Sequence, residues 1–252
     1  MDLEHHSLDQ FVSNDLNKKA PQHLYHYCKE KSVSSILNEG VFCTNSKCLS
    51  DKTECSLGWQ YAKTILASCN SKNYENHLVN QIEKCREDNT SIRFWSFSLC
   101  ENGNSPKMKE MYGPPLLKFD YKCVHNEITQ LMGKDLNEPL QTLHFFLPCF
   151  YLNPNDSTTY DGIRIQTLIQ FIFDEYLNEL LRHLYDDNEE KRIDIATACS
   201  FMLDTIIKDA HFAGEQEWRI IVITFDDSPK CRCMGGKCRL HAGISYTPTQ
   251  HS

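Results

Sequence analysis

The run Trp218–Phe225, WRIIVITF, is apolar except at Arg219 and Thr224 and has the length of a single strand. Such a stretch reads as a buried strand and is too short to cross a bilayer. Two acids, Glu215 and Glu217, stand at its mouth. A chain built around this strand needs partners for it, and three other segments have strand composition: His23–Tyr27, Val41–Thr44 and Ile92–Leu99.

Helical spacing fills the rest. Ser32 is a candidate cap for a helix with Val33, Ile36 and Leu37 on one face, closed at Glu39-Gly40. Apolar residues recur at Trp59, Ala62, Ile65 and Leu66, then at Leu78, Val79 and Ile82, with the polar segment Asn70–Tyr74 separating two helices. Further helices are predicted at Asn126–Met132, Ile165–Tyr185 and Lys191–Lys208, while Pro114-Pro115 marks a break. Short strands at both ends around a helix-rich stretch predict an α+β class. The expected layout is a single domain over 1–252: a loose leader or short helix over 1–20, a helix-rich insertion over about 120–210, and a Cys-rich tail over 228–252.

Composition narrows the function classes. A formal charge of −8 disfavours a general nucleic-acid binder, which needs a basic face to displace counterions. Walker, dinucleotide-fingerprint and His-Glu-x-x-His motifs are lacking. MDLEHHSLDQ is acidic and lacks the basic and apolar regions of a secretory signal, so a cytoplasmic location is expected, of the producing cell or of a target cell after signal-less delivery, with no membrane partner. Thirteen cysteines are then expected to be mostly reduced. Cys231, Cys233, Cys238 and His241 offer the donor set of a tetrahedral zinc site, with free thiols or one disulfide as the alternative.

Three blocks in order, LYHY at Leu24–Tyr27, FWSFS at Phe94–Ser98 and EQEWRIIV at Glu215–Val222, resemble an uncharacterised bacterial family with LYHYT, SFS and ExEWR signatures. They also resemble the ADP-ribosyltransferase superfamily, and that likeness implies a short-stranded split β-sheet core. It further implies NAD as substrate, with His26 on its ribose and nicotinamide side and Tyr27 also cofactor-binding, flanking His26 on the opposite face of the strand. Ser96, Ser98 and Tyr112 would shape the cleft, Glu217 would be the catalytic acid and Glu215 would face the acceptor. The chemistry gives the paired acids a purpose: one carboxylate stabilises an oxocarbenium-like ribose while a second orients the nucleophile. Glu215 and Glu217 are expected on one side of an extended segment.

The implied activity is mono-ADP-ribosyl transfer to a protein or small-molecule acceptor, or NAD hydrolysis, as in a toxin, effector or defence protein. The alternative is an inactive module of the same fold that binds a protein through its central helices, with or without zinc in the tail. The chain departs from the family pattern in two places: Cys28 stands where a Thr is usual, and Met108–Gly113 keeps Tyr112 but lacks the tryptophan.

Overall fold

A computed structural model describes residues 8–48, 56–68, 76–88, 92–135, 142–153, 160–185, 188, 191–225, 232–234, 237–241 and 249–250. The strand expected at the apolar run, β8 (Glu217–Thr224), is buried along its whole length. It lies between β3 (Arg93–Cys100) and β5 (Thr142–Pro148), paired antiparallel with both. β3 is longer than the strands on its far side, so two of them share it. β2 (Phe42–Asn45) pairs at Thr44↔Ser96 and Asn45↔Trp95, whereas β1 (His23–Tyr27) pairs only at Tyr25↔Cys100.

The sheet therefore splits along β3. One branch continues from β1 to β4 (Pro115–Asp120) and β11 (Thr249–Gln250). The other runs from β2 to β10 (Lys237–His241) and β9 (Arg232–Met234). Nine strands are joined in this way among the described residues. A small parallel pair, β6 (Phe150–Leu152) with β7 (Ile207–Asp209), stands beside it.

Helices cover both faces, which is why β8 has no solvent side. On one face α2 (Glu30–Glu39) and α6 (Tyr121–Asp135) pack Ile36, Val124 and Ile128 against Trp95, Phe97, Trp218 and Ile220. Gly40 closes α2 at φ 86°, as the sequence suggested. Its N-cap position is Lys29 and Ser32 lies within the helix, so the expected serine cap is not used. Asp120 caps α6 by accepting from the Cys123 amide at 3.0 Å.

The other face carries α3 (Leu57–Ser68), α4 (Asn76–Asp88), α7 (Tyr160–Phe171), α8 (Leu177–Tyr185) and α9 (Arg192–Ile206). A π-helical turn, Ile172–Tyr176, joins α7 to α8 where a continuous helix was expected. α1 (Leu8–Asn14) belongs to the same layer: Leu8 and Phe11 are buried, and Phe11 stacks on Phe171 at 3.8 Å.

Within the leader, residues 8–14 form a short helix, one of the two readings of this segment, and it joins the core because its apolar side chains meet α7. The 120–210 stretch is no separate insertion, since it supplies β5, a neighbour of the central strand. Of the central helices, α9 is buried from Ile195 to Ile206, whereas α7 exposes Ile163. Within the tail, the described parts add strands to the sheet through Leu240↔Cys43 and Thr249↔Lys118. Among the described residues no helix is long and apolar enough to cross a membrane.

Candidate functional site at the end of the sheet

Directly opposed residues of an antiparallel ladder point to the same face, and neighbours along a strand alternate. Those two rules locate every candidate. Tyr25↔Cys100 and Cys100↔Glu217 line up across β1, β3 and β8. Tyr27, Ser96, Ser98 and Arg219 follow on that same face by alternation, with Ser98 opposite Arg219 and Ser96 opposite Ile221. Along β3 and β8 this face changes from apolar (Phe94, Ile221, Ile223) to polar (Ser98, Arg219, Glu217) as it nears the split.

The polar end holds a buried ion cluster. Glu217 Oε1 accepts from Arg219 Nε at 2.8 Å, and its Oε2 accepts from Lys208 Nζ at 2.7 Å and from an Arg219 terminal nitrogen at 3.2 Å. Lys208, on β7, also donates to Glu215 at 2.8 Å. All four side chains are under a tenth exposed. Two cations face two anions, so the cluster is neutral. Burial alone would raise the Glu217 pKa, but Arg219 and Lys208 outweigh it and hold it at about 2. The Glu217 amide donates to the Tyr151 hydroxyl at 2.8 Å, and burial raises that phenol above its ordinary value. Beside the cluster, the Cys100 thiol is raised by burial and then by the two carboxylates.

Local geometry explains how the acids meet. Glu215 ends a 3₁₀ turn, Ala210–Glu215, and Gln216 is left-handed at φ 45°, ψ 56°. The expected extended segment is thus corrected: a tight turn, not strand alternation, brings Glu215 and Glu217 to one ammonium. Phe212 of that turn lies under Lys208 at 4.8 Å and under Lys107 of α5 (Pro106–Tyr112) at 5.4 Å. Ser105 caps α5 through the Met108 amide at 3.3 Å, and Met108 covers Tyr27 and Cys100.

His26 lies on the opposite face. Its ring stacks on Phe97 at 4.2 Å, in the core shared with Trp95 and Trp218, and its Nδ1 donates to the Ser98 carbonyl at 2.9 Å. That carbonyl sits where β1 and β2 part, so the imidazole supplies a partner that the split ladder does not. The expected meeting of His26 with Glu217 in one cleft is not found, because the register that aligns Tyr25 with Glu217 turns His26 away.

Tyr27 is buried, with its hydroxyl donating to the Asn102 carbonyl at 2.7 Å and accepting from the Ser105 amide at 3.0 Å. Ser96 is buried and Ser98 partly so. Tyr112 ends α5 on the surface, 43% exposed. Lys208 and Tyr151 were missed in the sequence. The available signal was a lysine in the otherwise apolar Ile206-Ile207-Lys208 before the acids.

For the zinc expectation, Cys231 lies outside the described residues. Cys233 stands on β9 and Cys238 and His241 on β10, with Cys233 paired to Cys238 across the two strands. Among the described residues there is no cluster of three metal-ligating side chains.

The chain matches no family model, no curated protein and no solved structure in the comparisons made.

Proposed function

We propose that this chain is a non-enzymatic module on an ADP-ribosyltransferase-like split sheet, acting by protein binding and not by consuming NAD. The state of Glu217 carries the reading. Both its oxygens are engaged by buried cations, Arg219 and Lys208. A carboxylate that stabilises an oxocarbenium-like ribose has to present uncompensated negative charge to it. Glu215, the acid expected to face the acceptor, is held by the same ammonium. The position of His26 on the far face adds support. For partner binding, the supporting surface feature is the adjacent exposed pair Met111 and Tyr112 at the end of α5.

The test is nicotinamide release. Purified protein and Glu217→Gln are incubated with NAD and candidate protein or small-molecule acceptors, and nicotinamide is quantified by chromatography. Neither protein is expected to exceed the protein-free control. Release by the wild type that is abolished in a folded Glu217→Gln variant overturns the proposal.

An NAD-consuming transferase or glycohydrolase is the second reading. It is favoured by Ser96, Ser98, Cys100 and Glu217 sharing one face beside the split in the sheet. In that reading Lys208 leaves Glu217 when the dinucleotide enters, and the carboxylate, ionised at neutral pH, takes over the ribose.

A further inference from the structure

Strands β9 and β10 form a hairpin whose register is Met234↔Lys237, Cys233↔Cys238 and Arg232↔Arg239. Only Gly235-Gly236 separates Met234 from Lys237 in sequence. The pair that closes a two-residue connection exchanges both ladder hydrogen bonds, and the next pair outward exchanges none. Cys233 and Cys238 occupy that next pair. Cα atoms of such a pair stand about 4.5 Å apart, inside the span of about 4.4–6.8 Å that a disulfide bridges.

We propose that Cys233 and Cys238 are a redox modification site, forming a reversible disulfide that clasps the β9–β10 edge of the sheet. Elsewhere in the sheet and its helices, burial pushes the Cys43 thiol far up and Cys199 up to about 12, so both stay protonated and inert. The oxidant is a low-molecular-weight disulfide of the glutathione class. One cysteine thiolate attacks it, joining one small thiol to the protein and expelling the other. The second thiolate then displaces the attached thiol. Two protein thiols become one disulfide, the small disulfide becomes two thiols, and the protein's protons pass to those leaving groups. β10 is itself paired with β2, so the bond ties the outermost strand to the branch beyond the split.

The experiment exposes the whole native chain to oxidised glutathione, alkylates residual thiols and measures intact mass. Trypsin releases the same Cys-Arg dipeptide from positions 231–232 and 238–239, so single variants decide the pairing. Wild type and Cys231→Ser are expected to lose two alkylatable thiols without retaining a small-thiol adduct, reversibly with dithiothreitol. Cys233→Ser and Cys238→Ser are expected to keep one mixed adduct. Circular dichroism checks that each variant is folded. A crosslink that persists in Cys238→Ser, wild-type adducts that never resolve, or stoichiometric zinc shielding these thiols would each overturn the proposal.

Discussion

Glu217 shows how a charged residue survives in a core. Removing a buried charge from water is costly, and the cost is met only when partners surround it closely. Arg219, two positions along the same strand, and Lys208, from β7, do so. Glu217→Gln leaves both cations short of charge and is expected to cost about 3–5 kcal/mol, read from urea unfolding. The pH dependence follows from its folded pKa of about 2, against an unfolded value of about 4.3. A depressed carboxylate contributes stability that is complete above the unfolded value and lost as pH falls toward the folded one. The contribution is about 3 kcal/mol. The stability gap between wild type and Glu217→Gln is therefore expected to stay level from neutrality to about pH 5 and to narrow from there toward about pH 2. A gap that does not change over that range contradicts the assignment.

Among the elements, α9 connects the helices to the sheet. Arg219 donates to the Thr205 carbonyl in its last turn at 2.8 Å, where a cation suits the helix dipole. One residue earlier, Asp204 accepts from the Trp59 amide at 2.7 Å and so caps α3 from another helix. Its second oxygen meets Arg86 of α4, which also donates to Ser200 at 2.8 Å and lies 4.4 Å from the Phe201 ring. Asp204→Ala removes the cap and strands the guanidinium, and a loss of about 3–5 kcal/mol is expected by chemical denaturation. Gly58 allows the close approach: a Cβ there would come within 2.3 Å of the Leu203 carbonyl oxygen. Gly58→Ala is expected to cost about 1–3 kcal/mol by forcing α3 from α9, with a lower midpoint in the same assay.

Over the whole molecule, stability follows position in the split sheet. β8 is buried and paired on both sides, whereas β9 and β11 are short strands at the ends of the two branches. Native-state hydrogen exchange is expected to show the slowest amides in β8 and β3 and the fastest strand amides in β9 and β11. Equal protection across the sheet would mean that the branches do not open separately.

Local chemistry made the strands legible. The aromatic run at β1, the FWSFS block and the apolar stretch at β8 are found where their composition puts them, and alternation alone places Ser96 with Ser98 on one face. β5 was hidden because Leu143–Leu147 lies among segments with helical spacing. The candidate site was less legible. Two acids beside an apolar strand were visible, and Arg219, two positions on, was readable as a salt-bridge partner of Glu217, whereas Lys208 reaches both acids from another strand. One strand's alternation does not reveal which of its faces matches a given face of another. That matching is set by register between segments far apart in the chain, such as Tyr25↔Cys100↔Glu217. Register comes from burying two cores at once, a cooperative property of the folded chain, and it put His26 on one side of the sheet and Glu217 on the other.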